Sequence, residues 1–285
     1  MTKDFAKSVK AKLLSLAQKN RLNYQVLLIR YLYERLLYRL SVSKYKDQFC
    51  LKGGALLYAY KKEFSRPTLD IDLLGIKIKN DETLINQIFI EIMAIPCEKD
   101  GVIFDTSSIK TEHIALNKAY HGLRLTYIAR LDSIKQTMKI DIGFGDVIIP
   151  AAQSLSFPVL IQDLPVPDIL AYSLETVVAE KFHAMIDLAE SNSRYKDFYD
   201  VYQILSQYQL DTKTLNDAIL ATFRNRKTII KREHPLFLED FAINRNRNMQ
   251  WQHFLKKINA PDIEFIHVMN TIVNRLHPVY HRIDI

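Results

Sequence analysis

Apolar positions change period several times along the first 165 residues, and the changes predict the elements. Residues 3–19 and 22–42 place Leu, Ile and Tyr at helical spacing, the second with Arg30, Glu34, Arg35 and Arg39 interspersed. Residues 54–62 suit a short helix, and Asn80-Asp81 caps another that runs to about Ile95. Between these two, Leu69, Ile71 and Leu73 alternate with Asp70 and Asp72, the pattern of a strand. Three further strands are expected at 102–104, 123–130 and 137–144, the last two joined as a hairpin through 131–135. Such a succession fits a mixed sheet with helices packed on one side. Pro150, Pro158, Pro165 and Pro167 then mark the passage into a mainly helical lobe. There, residues 168–190 predict a helix with Leu170, Leu174, Val177, Val178, Phe182, Met185 and Leu188 on one face. Ser193 is the expected cap of a helix over 194–208, striped by Tyr195, Phe198, Tyr202 and Leu205. The fold class is therefore α/β (α+β) in two lobes, residues 1–165 and 166–285.

Candidate chemistry centres on the Asp-x-Asp strand. Side chains two apart on a strand share a face, so Asp70 and Asp72 stand side by side, opposite the apolar row. Two anions that close repel each other unless a cation lies between them. A hard divalent ion such as Mg²⁺ (or Mn²⁺) prefers this oxygen cluster and leaves room for phosphate oxygens. Upstream, Gly53-Gly54 lets the backbone approach a ligand, with N–H groups able to face a phosphate. Alternating acids also decorate solvent-facing strands, and a Gly pair is more often a turn. A third acid in the same setting tips the balance: Asp141 alternates with Ile140, Ile142 and Phe144. On a neighbouring strand it completes a cradle for two metals, which would activate an attacking oxygen and stabilise a leaving one.

In the second lobe Lys181 falls near the middle of an apolar helix face, where it must snorkel or find an anion. Asp197 lies at the edge of the next stripe and is read as projecting into the cleft between lobes to orient Lys181 or the acceptor, while Lys196 and Asp200 face away, open between solvated charges and functional ones. Residues 224–232 carry Arg224, Arg226, Lys227, Lys231 and Arg232 with no acid before Glu233, a candidate grip for an RNA backbone. His183 reads as structural, and Trp251 as a core aromatic that docks the terminal helices.

These residues resemble the nucleotidyltransferase superfamily related to DNA polymerase β: Gly-Gly, then Asp-x-Asp, then a third Asp on a later strand. A closer resemblance is to the AbiEii/AbiGii-type toxins of type IV toxin–antitoxin and phage-defence pairs. It rests on Tyr33 to Ser41 leading into Phe49 to Gly54, on Arg66 to Leu73, on Leu174 to Lys181, and on Lys196 to Asp200. Matches spread from about residue 24 to about residue 256. The resemblance implies a polymerase-β-like lobe and transfer of a nucleoside monophosphate from an NTP to an acceptor. That acceptor would be RNA, in particular a tRNA 3′ end, with toxicity checked by a cognate antitoxin. It implies that Asp70, Asp72 and Asp141 hold the metals, that Lys52, Gly53, Gly54 and Arg66 meet the triphosphate, and that Lys181 and Asp197 are functional. One departure is Ala55, where relatives often carry Thr or Ser.

Composition narrows the rest. Hydrophobic residues at 48% with 25% charged, and only 7 glycines and 9 prolines, describe a globular chain without long flexible linkers. A net charge of +7 favours a polyanionic partner. Cys50 and Cys97 make no metal-ligand pattern and suit a reducing compartment. Residues 3–20 are basic and amphipathic, read as a docking helix rather than a transit peptide. No apolar run reaches membrane-spanning length, so a cytoplasmic protein is expected, with no membrane partner. A small-molecule nucleotidyltransferase of the antibiotic-modifying kind would use the same acids without the basic 224–232 segment. A binding module that has lost catalysis would usually lack an acid, and all three are present.

Overall fold

The sheet of the first compact unit is assembled from distant pieces of chain, and that assembly brings the acids together. The structure, a computed structural model, describes residues 4–61, 68–115 and 121–283. Two units divide the chain: Met1–Gly145 with Gln153–Ala171, and Asp146–Ala152 with Tyr172–Ile285.

In the first unit, α1 (Phe5–Lys19) starts where the Asp4 carboxylate accepts the Lys7 N–H at 3.1 Å. Asn23 caps α2 (Tyr24–Ser41) in the same way. The chain then forms β1 (Phe49–Lys52) and turns directly into α3 (Gly53–Lys61). Next come β2 (Ile71–Gly75) and α4 (Glu82–Met93), the latter capped by Asp81. A meander follows of β3 (Val102–Ala115), β4 (His121–Leu131) and β5 (Ile134–Phe144). The unit closes with β6 (Gln153–Ser156) and β7 (Asp168–Ala171). These seven strands lie in the order β3-β4-β5-β2-β1-β7-β6. Only β2–β5 and β1–β7 are parallel, so the sheet is mixed.

Register sorts the two faces. Leu51, Leu73, Ile142 and Leu123 align across four strands, with Ile71, Ile140 and Leu125 in the next row, all essentially buried. Phe89 of α4 covers this face, its ring centroid 5.3 Å from that of Phe49. Each such side chain contributes roughly 1.5–3 kcal/mol through burial, which fixes the register. A slip of one residue in β2 would turn Asp72 into the core. Charges buried under the helices are paired: Arg39 donates to Asp100 at 2.7 Å, and Arg35 lies 2.7 Å from Glu34.

The second unit is helical: α5 (Leu174–Leu188), α6 (Tyr195–Gln207), α7 (Thr212–Asn225), α8 (Glu239–Ile243), α9 (Arg245–Lys257) and α10 (Phe265–Tyr280). Its core is aromatic. Trp251 is fully buried, packs on Phe265 and donates its indole N–H to the Ile263 carbonyl at 2.6 Å. Among the described residues no helix is long and apolar enough to cross a membrane.

Two expectations about elements are corrected. The helix expected over 168–190 begins only at Leu174, because Asp168–Ala171 joins the sheet as β7 beside β1. Pro167 fixes an extended entry, and Ser173, not an earlier residue, caps α5 by accepting the Thr176 N–H at 3.2 Å. Ser193 does not cap α6; the Asn192 side chain accepts the Arg194 N–H at 2.8 Å instead.

Candidate active site

On the polar face of the sheet, one row of charged residues crosses five strands. Lys52 of β1 pairs with Asp72 of β2, Asp72 with Asp141 of β5, Asp141 with Arg124 of β4, and Arg124 with Glu112 of β3. Directly paired residues point to the same face, so the signs run plus, minus, minus, plus, minus. Alternation within each strand could be read from sequence. The pairing that puts Asp72 beside Asp141 is set by the apolar rows behind them.

Asp70 stands one residue before β2, and its carboxylate accepts the Thr68 hydroxyl at 3.0 Å. The three acids lie within electrostatic reach of one group. Burial pushes the Tyr33 hydroxyl pKa up, and the charges of Asp70, Asp72 and Asp141 push it further. Asp141 is largely buried, and its two oxygens receive Arg124 in a fork: Nε to Oδ1 at 2.7 Å and Nη2 to Oδ2 at 2.7 Å. That carboxylate in turn raises the Arg124 pKa, chiefly through these hydrogen bonds.

Gly53 is where β1 becomes α3, and it needs to be glycine on two counts. Its φ is +70°, and a Cβ built there would fall 2.6 Å from Cγ of Asp72. The backbone thus touches the carboxylate. The first turn of α3 contains no acid, and Lys52 precedes it half-buried. An N-terminal turn so placed favours an anion. Ala55, the departure noted above, is buried in that turn. Arg66 lies outside the described residues.

Asp70, Asp72 and Asp141 supply hard oxygen donors, the right chemistry for Mg²⁺ or Mn²⁺. The missing Cβ of Gly53 lets the Asp72 carboxyl group lie directly against the turn, where a Cβ would collide with it. Among the described residues no three His, Cys, Asp or Glu side chains converge into a ready-made cage. In this structure Arg124 engages both oxygens of Asp141.

In the second unit Lys181 of α5 finds its anions within the protein. Its Nζ is 2.5 Å from Asp197 and 2.9 Å from Asp200, both on α6, and Arg194 adds a contact to Asp197 at 2.7 Å. Asp197 is fully buried. Burial opposes its charge, but Lys181 and Arg194 outweigh it and hold the carboxyl below its ordinary pKa. Asp200, expected to face away from the stripe, is instead buried against Lys181, one helical turn beyond Asp197. Lys196 is exposed, as expected.

The basic 224–232 segment also needs correction. Arg226 is mostly buried and its guanidinium bonds Asp146 at 3.0 Å and Glu180 at 3.3 Å, so it is a tie within the second unit. Arg224, Lys227, Lys231 and Arg232 are exposed. His183 is structural: its Nε2 is 2.7 Å from the Thr228 hydroxyl, and burial with the nearby Arg226 drops its pKa to about 3. Arg124 and Glu112 went unread in the sequence. The signal available was the alternation of Leu123-Arg124-Leu125-Thr126-Tyr127, which puts Arg124 on the polar side of a strand, but its partner depends on register.

Comparison with known proteins bears on the fold and on the family. A presumed nucleotidyltransferase from H. pylori superposes with a TM-score of 0.50 at 14% identity, over 92% of this chain and 97% of its own. That likeness shows the fold. JHP933 from Helicobacter pylori gives 0.49 at 14% identity over 92% and 94%, and the antibiotic-resistance factor ANT(2'')-Ia gives 0.33 at 14% over 77% and 91%. No curated protein matches the chain. The model of the family "Nucleotidyl transferase AbiEii toxin, Type IV TA system" matches residues 35–270, a span that includes Lys52, Asp70, Asp72, Asp141, Lys181 and Asp197. The chain therefore belongs to the AbiEii family of nucleotidyltransferase toxins of type IV toxin–antitoxin systems.

Proposed function

We propose that this chain moves a nucleoside monophosphate from an NTP to the 3′ end of an RNA, with tRNA as the favoured acceptor, releasing pyrophosphate. The observation that carries the reading is the pairing of Asp72 with Asp141 across β2 and β5, directly beneath the Gly53 turn. Asp70, Asp72 and Asp141 would hold Mg²⁺, which when bound neutralises phosphate charge and lowers the pKa of a coordinated hydroxyl. Gly53 and Gly54 would present backbone N–H groups to the triphosphate, and Lys52, next in the row, would add a positive charge. Arg66 is proposed for the same task on the strength of the family motif alone. Asp141 would orient the acceptor hydroxyl and take its proton.

Lys181 and Asp197 carry a functional role by the same resemblance. Two carboxylates around one ammonium favour its protonated form. Lys181 therefore serves as a fixed positive charge rather than as a base. The net charge of +7 supports a polyanionic acceptor. The family implies a cognate antitoxin as partner and an NTP as substrate, and we place the reaction in the cytoplasm.

The test is incubation with total tRNA, or with an aminoglycoside panel, plus each α-labelled NTP and Mg²⁺. Label entering tRNA supports the proposal. Label entering only the small molecules would replace the RNA acceptor with an antibiotic-type one.

A further inference from the structure

We infer that Arg124 is a positioning residue that competes with metal for Asp141, so that the third carboxylate is delivered only when the Arg124 fork opens. The inference rests on the metal-site reading above. Its first support is geometric. Arg124 lies across Asp141 on the side away from Asp72, and its fork takes both carboxylate oxygens at 2.7 Å. A carboxylate offers about four lone-pair directions, and a forked guanidinium uses one on each oxygen while cancelling the charge that draws a cation. The same two oxygens cannot keep this fork and also close symmetrically on an ion shared with Asp72.

The second support is that the fork has somewhere to go. Glu112 on β3 is the direct cross-strand neighbour of Arg124 on its other side, and its carboxylate is exposed. Glu112 and Asp70 both add to the field that keeps Arg124 charged. Arg124 thus sits between an inner acid, Asp141, and an outer one, Glu112. Rotation about its long side chain exchanges one for the other. The Arg124 side chain is about one-third exposed, 32% against 10% for Asp141, so it can move without disturbing the core. A nucleotide that brings a divalent ion between Asp72 and Asp141 drives the exchange. Metal then loads fully only with nucleotide, and an idle site is not left with three unneutralised acids.

Two substitutions should act in opposite directions. Arg124→Gln removes the competing charge, and Glu112→Gln removes the place where it rests. Mn²⁺ affinity of the nucleotide-free protein, measured by the electron paramagnetic resonance signal of free Mn²⁺, is the readout. Arg124→Gln should tighten binding by about tenfold, the order expected for one charge removed from about 4 Å in a partly exposed site. Glu112→Gln should weaken it about two- to threefold, and Arg124→Lys, which cannot make the fork, should fall between wild type and Arg124→Gln. Thermal unfolding of each variant checks that it folds, and Arg124→Lys keeps the test alive if Arg124→Gln does not. Unchanged or weaker Mn²⁺ binding in both Arg124 variants would overturn the inference, because Arg124 would then support Asp141 as a ligand rather than compete for it. Asp72→Asn separates the two levels. Loss of Mn²⁺ binding there with no response at Arg124 sinks the competition alone, whereas wild-type binding in Asp72→Asn sinks the metal site and the competition with it.

Discussion

Replacing Gly53 by Ala tests the contact between the glycine turn and Asp72. The backbone there has φ +70°, which costs an L-residue about 1–2 kcal/mol. The new Cβ would also meet Asp72, at 2.6 Å from Cγ and 2.8 Å from Cβ. Overlap of that kind in a packed setting adds about 1–3 kcal/mol or forces the carboxylate aside. The expected loss is therefore about 2–5 kcal/mol. In a folding unit of roughly 150–250 residues each kcal/mol moves Tm by about 2–4 °C, so calorimetry should show a drop of about 4–20 °C. Repeating the substitution in an Asp72→Ala background removes the carboxyl group but keeps the 2.8 Å approach to Cβ, so the penalty should shrink by at least about 1 kcal/mol. The assay is a double-mutant cycle by urea denaturation, with Mn²⁺ binding measured alongside. Equal penalties in both backgrounds would show that Gly53 does not press on Asp72, and the glycine turn would lose its place beside the carboxylates.

Asp70→Ala and Asp72→Ala should each abolish nucleotide transfer and growth inhibition, and full activity in either variant would refute the carboxylate assignment. Lys181→Met leaves Asp197 and Asp200 buried without their main cation, so urea denaturation at pH 7 should show a loss of about 3–5 kcal/mol. Because Asp197 has a lowered pKa when folded, its ionic contribution is present above pH 3.8 and lost as pH falls below it. The gap between Lys181→Met and wild type should therefore narrow only in that acid range, and a constant gap would assign the loss to packing. His183, neutral in the fold with a pKa of about 3 against 6.5 unfolded, stabilises above pH 6.5 and progressively less as pH falls from 6.5 towards 3. His183→Asn should flatten the stability profile there. Arg226→Ser should destabilise the protein without changing the salt dependence of RNA binding. Ser at both Arg224 and Lys227 should reduce the log–log salt slope by about 1–2, with little change in Tm.

The sequence carried the parts of the site that depend on local pattern. Asp72 and Asp141 were legible because the buried apolar residues on either side fix which face of a strand they take, whereas Asp70 stands before β2 and Leu69, expected in the inward row, is exposed. Gly53-Gly54 was legible because a glycine pair between apolar runs marks close approach. What escaped depended on contacts between distant segments. Asp168–Ala171 is too short to distinguish a strand from the first turn of a helix, and only its parallel partner β1 makes it a strand. Arg124 acquires its partner Asp141 only from the register of β4 against β5. Asp200 was placed outward from the stripe of its own helix, but α5 brings Lys181 against that side. Arg226 sat in a run of basic residues that suggested solvent, and its acids come from residues 146 and 180.

The central claim, that these carboxylates transfer a nucleotidyl group, is tested most directly by following two labels at once. Wild type and Asp72→Asn are incubated with tRNA, Mg²⁺ and an NTP carrying distinguishable α- and γ-phosphate labels. Wild type should place the α label on tRNA and release the γ label as pyrophosphate in equal amount, and Asp72→Asn should do neither. Transfer of the γ label to the acceptor, or undiminished α transfer by Asp72→Asn, would contradict the account.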